Sequence, residues 1–567
     1  MRVMKSARMQ LVASALVLGY LALVPAFLRD PLVTRSYYLR QDWLGAAVYI
    51  AAMLAAAFGT WRLATTWSPR AVPDARSILA MAAVLVLALW AGTYWIMLDY
   101  PLTRDELMAG FDAGIFAAGN LAEPVAQEWR DYIRALVPDF YLPMAGNTAL
   151  VSSYMPGNAL MRAGFEAFGA PQLLNPLLAG IGLVAMWDVA RRLFPDCAPA
   201  VWVVLAGYVQ SAQILVNAMT SYAMTGHLAL NAIWLSLFLR NRAWSHACAM
   251  VVGIWAIGLH QVAFHPLAVG AIILTLLLDR RWGLFAAYAV VYAAALAGWM
   301  IYPSWVMDSV GAYPGAASGG GGVGSFVTER IVPMIANISP YTLPLMIYNL
   351  LRFFVWMPAF CLPTLLWSVR PAKRREVLPA ALLASIGVTT TAVVLLMAYQ
   401  GHGWGYRYWH AIIPHVLLLC GYGFREWLGE DRQLARTAVT WLAAVTLLVL
   451  PFLLVTSQRF VVPYDKLTGL LDRQTAEFVI VETDPPGSAV DQVRNRADLT
   501  NRPLLFGSHA LDYDQVRELC RRGTVTFVRK SRFHLVQFGQ SLVDGTPAHD
   551  NLEAWLRSQP CWRPVVP

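Results

Sequence analysis

The reading turns on one stretch, SILAMAAVLVLALWAGTYWIMLDYPLTRDELMAGFD, residues 77–112. Residues 77–98 carry no charge. About 20 helical residues, rising about 1.5 Å each, cross the roughly 30 Å hydrocarbon core of a bilayer, so this run has the length of a membrane span. It ends at Asp99 and is followed by Thr103-Arg104-Asp105-Glu106. A carboxylate at the bilayer centre costs about 2.5–3.5 kcal/mol, whereas these acids sit where the span ends. There they stay ionised and can still meet a lipid headgroup. Leu107, Met108, Phe111, Ile115 and Phe116 follow at helical spacing, with Asp112 one to two turns after the acidic pair. Two readings stand side by side: Thr103 or Asp105 caps the helix and the acids complement its dipole, or the acids act on a substrate at the membrane rim.

The rest of the chain sets this stretch in a polytopic membrane protein. Of 567 residues, 58% are hydrophobic and 14% charged, against about 45–50% and about 25% in soluble domains; mean hydropathy is +0.50. So few charges cannot cover a water-soluble globule, and 22 Trp, 23 Tyr and 23 Phe exclude disorder. Apolar runs near 9–28, 43–62, 77–98, 173–190, 199–218, 224–239, 246–261, 264–279, 283–302, 350–369, 377–398, 411–428 and 436–456 predict about thirteen transmembrane helices. The runs between 224 and 279 are short and broken by Gly226, Gly253, Pro266 and several His. Residues 9–28 lack a small-x-small cleavage site and read as a retained first helix.

The net charge of +9 is carried mostly by Arg. In a membrane protein it reads as cations retained on the cytoplasmic side, with no nucleic-acid partner. A cytoplasmic N-terminus puts Arg62, Arg70, Arg76, Arg191, Arg192, Arg240, Arg242, Arg280, Arg281 and the run from Arg370 to Arg375 inside. The acid-rich stretch 99–140 then lies outside, and Arg29, Arg35 and Arg40 are the exceptions. The expected location is a multi-pass bacterial plasma membrane with both large polar loops (99–172 and 303–349) and the C-terminal tail external. Residues 1–456 form the expected transmembrane domain and 457–567 a periplasmic or extracellular α/β domain. In that tail Phe478–Val481 and Val525–Val528 read as buried strands, with an amphipathic helix at Asp512–Arg522. Cys197, Cys248, Cys361 and Cys420 lie in or beside apolar runs and read as small core residues. Cys520 and Cys561 can pair in an oxidising compartment or remain free thiols.

Further motifs carry a structural and a functional reading each. Ser153-Tyr154-Met155-Pro156-Gly157-Asn158 is either a plain loop-to-helix junction or a substrate-lining segment. His227, His260 and His265 are either satisfied core residues or lining of a pathway; their spacing lacks a clear third zinc ligand. Gly401-His402-Gly403-Trp404-Gly405-Tyr406-Arg407-Tyr408-Trp409-His410 is the densest constellation. An aromatic belt explains its Trp and Tyr. Three alternating glycines that let backbone approach a ligand, with one Arg suited to phosphate, favour an anion site. The glycine-rich run from Gly315 to Gly324 lacks the Gly-Lys-Ser/Thr of a P-loop and reads as a mobile external lid.

The order of these motifs resembles the GT-C-type integral membrane glycosyltransferases, specifically the bacterial relatives of protein O-mannosyltransferases and of the aminoarabinose transferase that modifies lipid A. The resemblance rests on Arg104-Asp105-Glu106, Phe111-Asp112-Ala113 to Gly119-Asn120-Leu121, Tyr154-Met155-Pro156-Gly157 and Gly403-Trp404-Gly405-Tyr406-Arg407-Tyr408. Family members often carry Pro-Pro where this chain has Met155-Pro156. The resemblance implies a polyprenyl-phosphate-linked sugar donor and a lipid, glycan or protein acceptor. It also implies Asp105 as general base, Glu106 or Asp112 orienting the acceptor or Asp105, and Arg407 with His402 or His410 neutralising the departing phosphate. Tyr154, His265, Trp404 and Tyr406 complete the expected substrate-binding set; no organic cofactor or fixed metal is expected, and a divalent cation is left open. Direct displacement by one base inverts the anomeric centre. Two other readings remain: a polysaccharide polymerase or ligase using lipid-linked sugars, and a lipid-linked-sugar transporter, which would show repeat symmetry and a midplane site.

Overall fold

The computed structural model describes residues 2–27, 37–59, 69, 71–137, 140–142, 144–311, 336, 340, 342–396, 403–483, 490–529 and 547–566. The glycine-rich run and most of the loop 303–349 lie outside them. The chain divides into two compact units. One gathers residues 1–96, 172–299 and 320–457; the other gathers residues 97–171, 300–319 and 458–567.

The first unit is helical. Among the described residues, seven helices are long and apolar enough to cross a membrane, or nine if two bent pairs each count as one span. The expectation of about thirteen is not reached on that criterion. Met224–Leu239, Ala243–Ile257 and Phe264–Leu278 hold only 15 or 16 residues each, which is short for a bilayer. Met224–Leu239 shows why its run carries no amphipathic stripe: it packs against Leu174–Leu193 and Ala243–Ile257 and is buried nearly all round. Close packing uses small residues, as in membrane bundles. A Cβ on Gly423 of Ile413–Glu430 would overlap the Thr364 carbonyl of Cys361–Trp367.

Single polar residues knit these helices together. Asp42 and Arg352, both fully buried, form an ion pair of 3.3 Å. Asp42 also accepts from Tyr348 Oη at 2.6 Å and Trp356 Nε1 at 2.9 Å, and the Arg352 guanidinium lies 4.3 Å from the Tyr37 ring centre. A buried charge survives only when partnered in this way.

The second unit is α/β and draws on both the early loop and the tail. Strands β1 (Glu123–Pro124), β2 (Tyr141–Leu142) and β3 (Ala149–Ser152) form an antiparallel sheet in the order β1-β3-β2. Strands β4 (Phe478–Val481), β5 (Leu504–Gly507) and β6 (Val525–Val528) form a parallel sheet in the order β5-β4-β6. Every residue of these three strands is buried, as a parallel sheet requires. The helix between β5 and β6 runs Tyr513–Arg522, with Asp512 capping it through Gln515, so the tail strands and helix expected from sequence are present. Cys520 and Cys561 are disulfide-bonded across a sequence separation of 41.

Sequence reading sets the loop 99–172 and the tail apart, but here they share one core. Phe111, Ile115, Ile133 and Leu136 pack with Phe478, Phe506, Val516 and Leu519, and Trp129 meets Phe478 and Phe506 at 6.0 and 6.1 Å. Polar pins fix the register. Asn495 Nδ2 donates to the carbonyls of Leu136 and Leu505, both at 2.7 Å, and Arg104 Nε meets Asp491 at 2.5 Å.

Candidate active site

The acidic helix is built from its first turn. After the helix Ala75–Trp95, the chain turns through Leu98 and Asp99, both with positive φ (58° and 50°). Such a conformation in residues with a Cβ costs about 1–2 kcal/mol each; Thr103 then opens the helix Arg104–Ala117. Glu106 closes a capping box: its carboxylate accepts from the Thr103 N–H at 3.0 Å and the Thr103 hydroxyl at 3.1 Å, and the residue is 1% exposed. Of the two capping residues expected, Thr103 is the N-cap, and Glu106 completes the box. Its neighbour Asp105 is half-buried and accepts a short hydrogen bond from the Tyr154 hydroxyl.

Asp112 lies seven residues on, hence on the same helix face about 10 Å along the axis. It is buried and accepts from Ser152 Oγ at 2.6 Å and Tyr141 Oη at 3.4 Å. Those two residues stand opposite each other where β2 pairs with β3. Burial pushes the Asp112 carboxyl up to about 7, against the pull of its two hydroxyl donors. Asp112 thus fastens the hairpin to the acidic helix, and Tyr154, two residues past β3, is delivered to Asp105. The Tyr154 N–H donates to Ser152 Oγ at 3.2 Å, and its ring meets Phe140 edge-on at 5.4 Å. Among the sequence-derived candidates Asp105, Asp112 and Tyr154 are brought together; Tyr141 and Ser152 were missed. A lone Tyr and Ser in short strands carry no periodic signal.

Within the helical unit, Gly401 and His402 lie outside the described residues. From Gly403 onward the segment is buried, and the first unit's polar residues shape it. Gln213 clamps one peptide on both sides: Nε2 donates to the Tyr406 carbonyl at 2.5 Å while Oε1 accepts the Tyr406 N–H at 2.9 Å. Asn217 Nδ2 donates to the Trp404 carbonyl at 3.0 Å, and Arg352 Nη2 to the Gly403 carbonyl at 2.8 Å. Gly403 and Gly405 both have positive φ (92° and 62°). A Cβ on Gly405 would overlap Gln213 Oε1, and one on Gly403 would lie 3.0 Å from Tyr222 Oη. The close approach inferred from these glycines is thus to protein side chains.

Arg407, 4% exposed, has its guanidinium 5.1 Å from the Tyr222 ring centre and 5.2 Å from that of Tyr408. Trp404 is fully buried, edge-on to Tyr37 at 6.2 Å. The Tyr406 hydroxyl is buried with no hydrogen-bond partner among the described residues, which marks it as a candidate for a ligand contact. His410 Nδ1 is 2.8 Å from the Arg407 carbonyl and 3.4 Å from Gln213 Nε2, and its Nε2 is 3.0 Å from the Gln213 carbonyl, so both ring nitrogens face protein atoms and the neutral ring donates to one carbonyl. His265 likewise uses Nδ1 on Asn231 Oδ1 at 2.9 Å and Nε2 on the Tyr292 hydroxyl at 3.2 Å. These contacts link His265 to residues of two neighbouring helices. No group of three or more His, Cys, Asp or Glu suited to a metal ion occurs among the described residues.

No family model matches the chain, and no curated protein matches it in sequence. Solved structures do. The chain is similar to ArnT from Cupriavidus metallidurans bound to undecaprenyl phosphate, with a TM-score of 0.52 and 15% identity over 79% of this chain and 88% of that one. The apo state of the same protein gives a TM-score of 0.48 and 14% identity over 74% and 84%. With its apolar helices and its small C-terminal α/β region, this chain is a multi-pass membrane protein with an ArnT-like fold.

Proposed function

We propose that the chain is a membrane glycosyltransferase that moves a monosaccharide from a polyprenyl-phosphate donor to an acceptor hydroxyl on the external face, with inversion at the anomeric carbon. The observation that carries this reading is the placement of Asp105. On a fold shared with a protein solved with undecaprenyl phosphate, its half-buried carboxylate is aimed by Tyr154 while the adjacent Glu106 is taken up by the helix cap. Asp105 takes the proton of the acceptor hydroxyl as that oxygen forms its bond to the anomeric carbon. The bond from that carbon to the phosphate oxygen breaks, and the polyprenyl phosphate leaves with the electron pair. Asp112 and Tyr154 are positioning residues for Asp105. Arg407 supplies counter-charge to the donor phosphate, with the Tyr406 hydroxyl as a neighbouring donor. The charge asymmetry of the loops supports a cytoplasmic N-terminus and an external α/β tail.

The test is transfer by purified protein from a polyprenyl-phosphate sugar to acceptors in an envelope extract. Free polyprenyl phosphate should appear together with labelled acceptor, and Arg407→Ala should raise the donor KM about 10- to 100-fold through loss of a charge-assisted contact. Lipid-linked sugar that crosses vesicles with no product formed would replace this reading by transport.

A further inference from the structure

A second charged constellation, unrelated to the transfer chemistry, sits near the end of the helix Leu174–Leu193. Asp188, with its side chain 6% exposed, draws three guanidinium groups: Arg191 at 2.6 Å, Arg192 at 3.1 Å and Arg240 at 2.9 Å. Ser236 adds its hydroxyl at 2.7 Å. Arg240 follows directly on the helix Met224–Leu239. One arginine neutralises Asp188 and staples the two helices. The other two bring like charges together, which is unfavourable unless a further anion shares them. Three guanidiniums against one carboxylate leave two positive charges uncompensated within the cluster.

Geometry shows where that anion would lie. The arginine side chains are 42%, 33% and 34% exposed, so each keeps part of its donor fork at the surface. Arg240 Nε is buried and has no acceptor among the described residues. Arg191 is held in place by stacking, its guanidinium 4.4 Å from the Trp187 ring centre, and the Trp187 indole is pinned to the Pro73 carbonyl at 2.9 Å. At the starts of the helices Ala243–Ile257 and Trp282–Val310, Trp244 and Trp282 are 52% and 62% exposed. Exposed indoles at the ends of apolar helices mark the headgroup level of a bilayer. Guanidinium forks match phosphate oxygens in pairs.

We infer that the Asp188 cluster is a headgroup site for an anionic phospholipid, whose phosphate is taken up by Arg191, Arg192 and Arg240 while Asp188 keeps the three cations convergent. The lipid, in place of free phosphate, follows from the apolar helices that carry the cluster and from the exposed indoles at the starts of Ala243–Ile257, which follows Arg240 in sequence, and of Trp282–Val310. The test uses the full chain in a zwitterionic detergent, titrated with fluorescent phosphatidylglycerol and, separately, phosphatidylcholine. Wild type should prefer phosphatidylglycerol. The R191Q/R192Q/R240Q variant should lose about fivefold in phosphatidylglycerol affinity per arginine, on the order of 100-fold in all, with phosphatidylcholine binding unchanged. Arg242→Gln, which removes an exposed cation two residues past Arg240, should stay within about twofold of wild type. Equal binding of the two lipids by wild type would overturn the inference, as would an unchanged preference in the triple variant or an equal loss in Arg242→Gln. So would complete displacement of the lipid by an equal concentration of inorganic phosphate. Should the triple variant fail to fold, Arg192→Gln alone decides, with about a fivefold loss expected and no loss refuting.

Discussion

Asp112 gives the sharpest test of how the acidic helix is held. Its carboxyl moves from an ordinary value of 3.8 to about 7 because it is buried against the β2–β3 hairpin. The folded state therefore binds this proton more tightly than the unfolded chain does. Stability from this group is full below about pH 4, falls as pH rises through about 4 to 7, and is flat above. Over the whole window the difference is about 4 kcal/mol, and between pH 5 and pH 8 about 2.5 kcal/mol, both order-of-magnitude figures. For a body of 150–250 residues that is a fall in Tm of about 5–10 °C. Asp112→Asn keeps an acceptor for Ser152 and cannot ionise. Calorimetry of the full-length protein in detergent at pH 5 and pH 8 should show the α/β unit losing about that much more Tm in wild type than in Asp112→Asn. Comparing the two proteins removes the contribution of every other titrating group, including Glu123, which burial also raises. An identical pH dependence in both would refute the assignment of a protonated, hairpin-anchoring carboxyl. If Asp112 positions without reacting, Asp112→Asn also keeps measurable transfer.

Two further outcomes follow from the same geometry. Tyr154→Phe removes the hydroxyl that aims Asp105 while leaving the ring on Phe140, so kcat should fall about tenfold with donor KM unchanged; a change in KM alone would contradict a positioning role. Gln213→Leu leaves the buried N–H and C=O of Tyr406 without partners, at about 1–3 kcal/mol each. Donor KM should rise at least tenfold with Gln213→Glu recovering part of the loss, and an unchanged donor KM would show that the clamp does not shape the donor site.

Much of this was open to reading from residues alone, for identifiable reasons. The span 77–98 and the acids after it are legible because charge is excluded from hydrocarbon, and the 105/112 face is legible because seven residues make two helical turns. The tail strands Phe478–Val481 and Val525–Val528 announce themselves as short buried runs, whereas Leu504–Gly507 was not read. What escaped depends on partners far apart in sequence. Asp42 and Arg352 are lone polar residues in apolar surroundings, 310 positions apart, and Gln213 reaches Tyr406 across 193 positions. No local periodicity carries such pairings. The loop–tail core was hidden in the same way: Phe111 read as part of a helical pattern and Phe478 as part of a buried strand, with nothing to name what they pack on. The glycines at 403 and 405 were read as letting backbone approach a ligand; the groups that approach them in the structure are Tyr222 and Gln213. The ring nitrogens of His265 and His410 face Asn231, Tyr292 and Gln213, partners too distant in sequence for local spacing to name.

The central claim is that Asp105 removes the proton of the acceptor during direct displacement of polyprenyl phosphate. The measurement that reaches it most directly is single-turnover transfer by Asp105→Asn with the polyprenyl-phosphate sugar already bound. Donor affinity should match wild type within about threefold while the transfer rate falls at least 100-fold, with any residual product still inverted. Wild-type transfer by Asp105→Asn, or product that retains the donor's anomeric configuration, would contradict it.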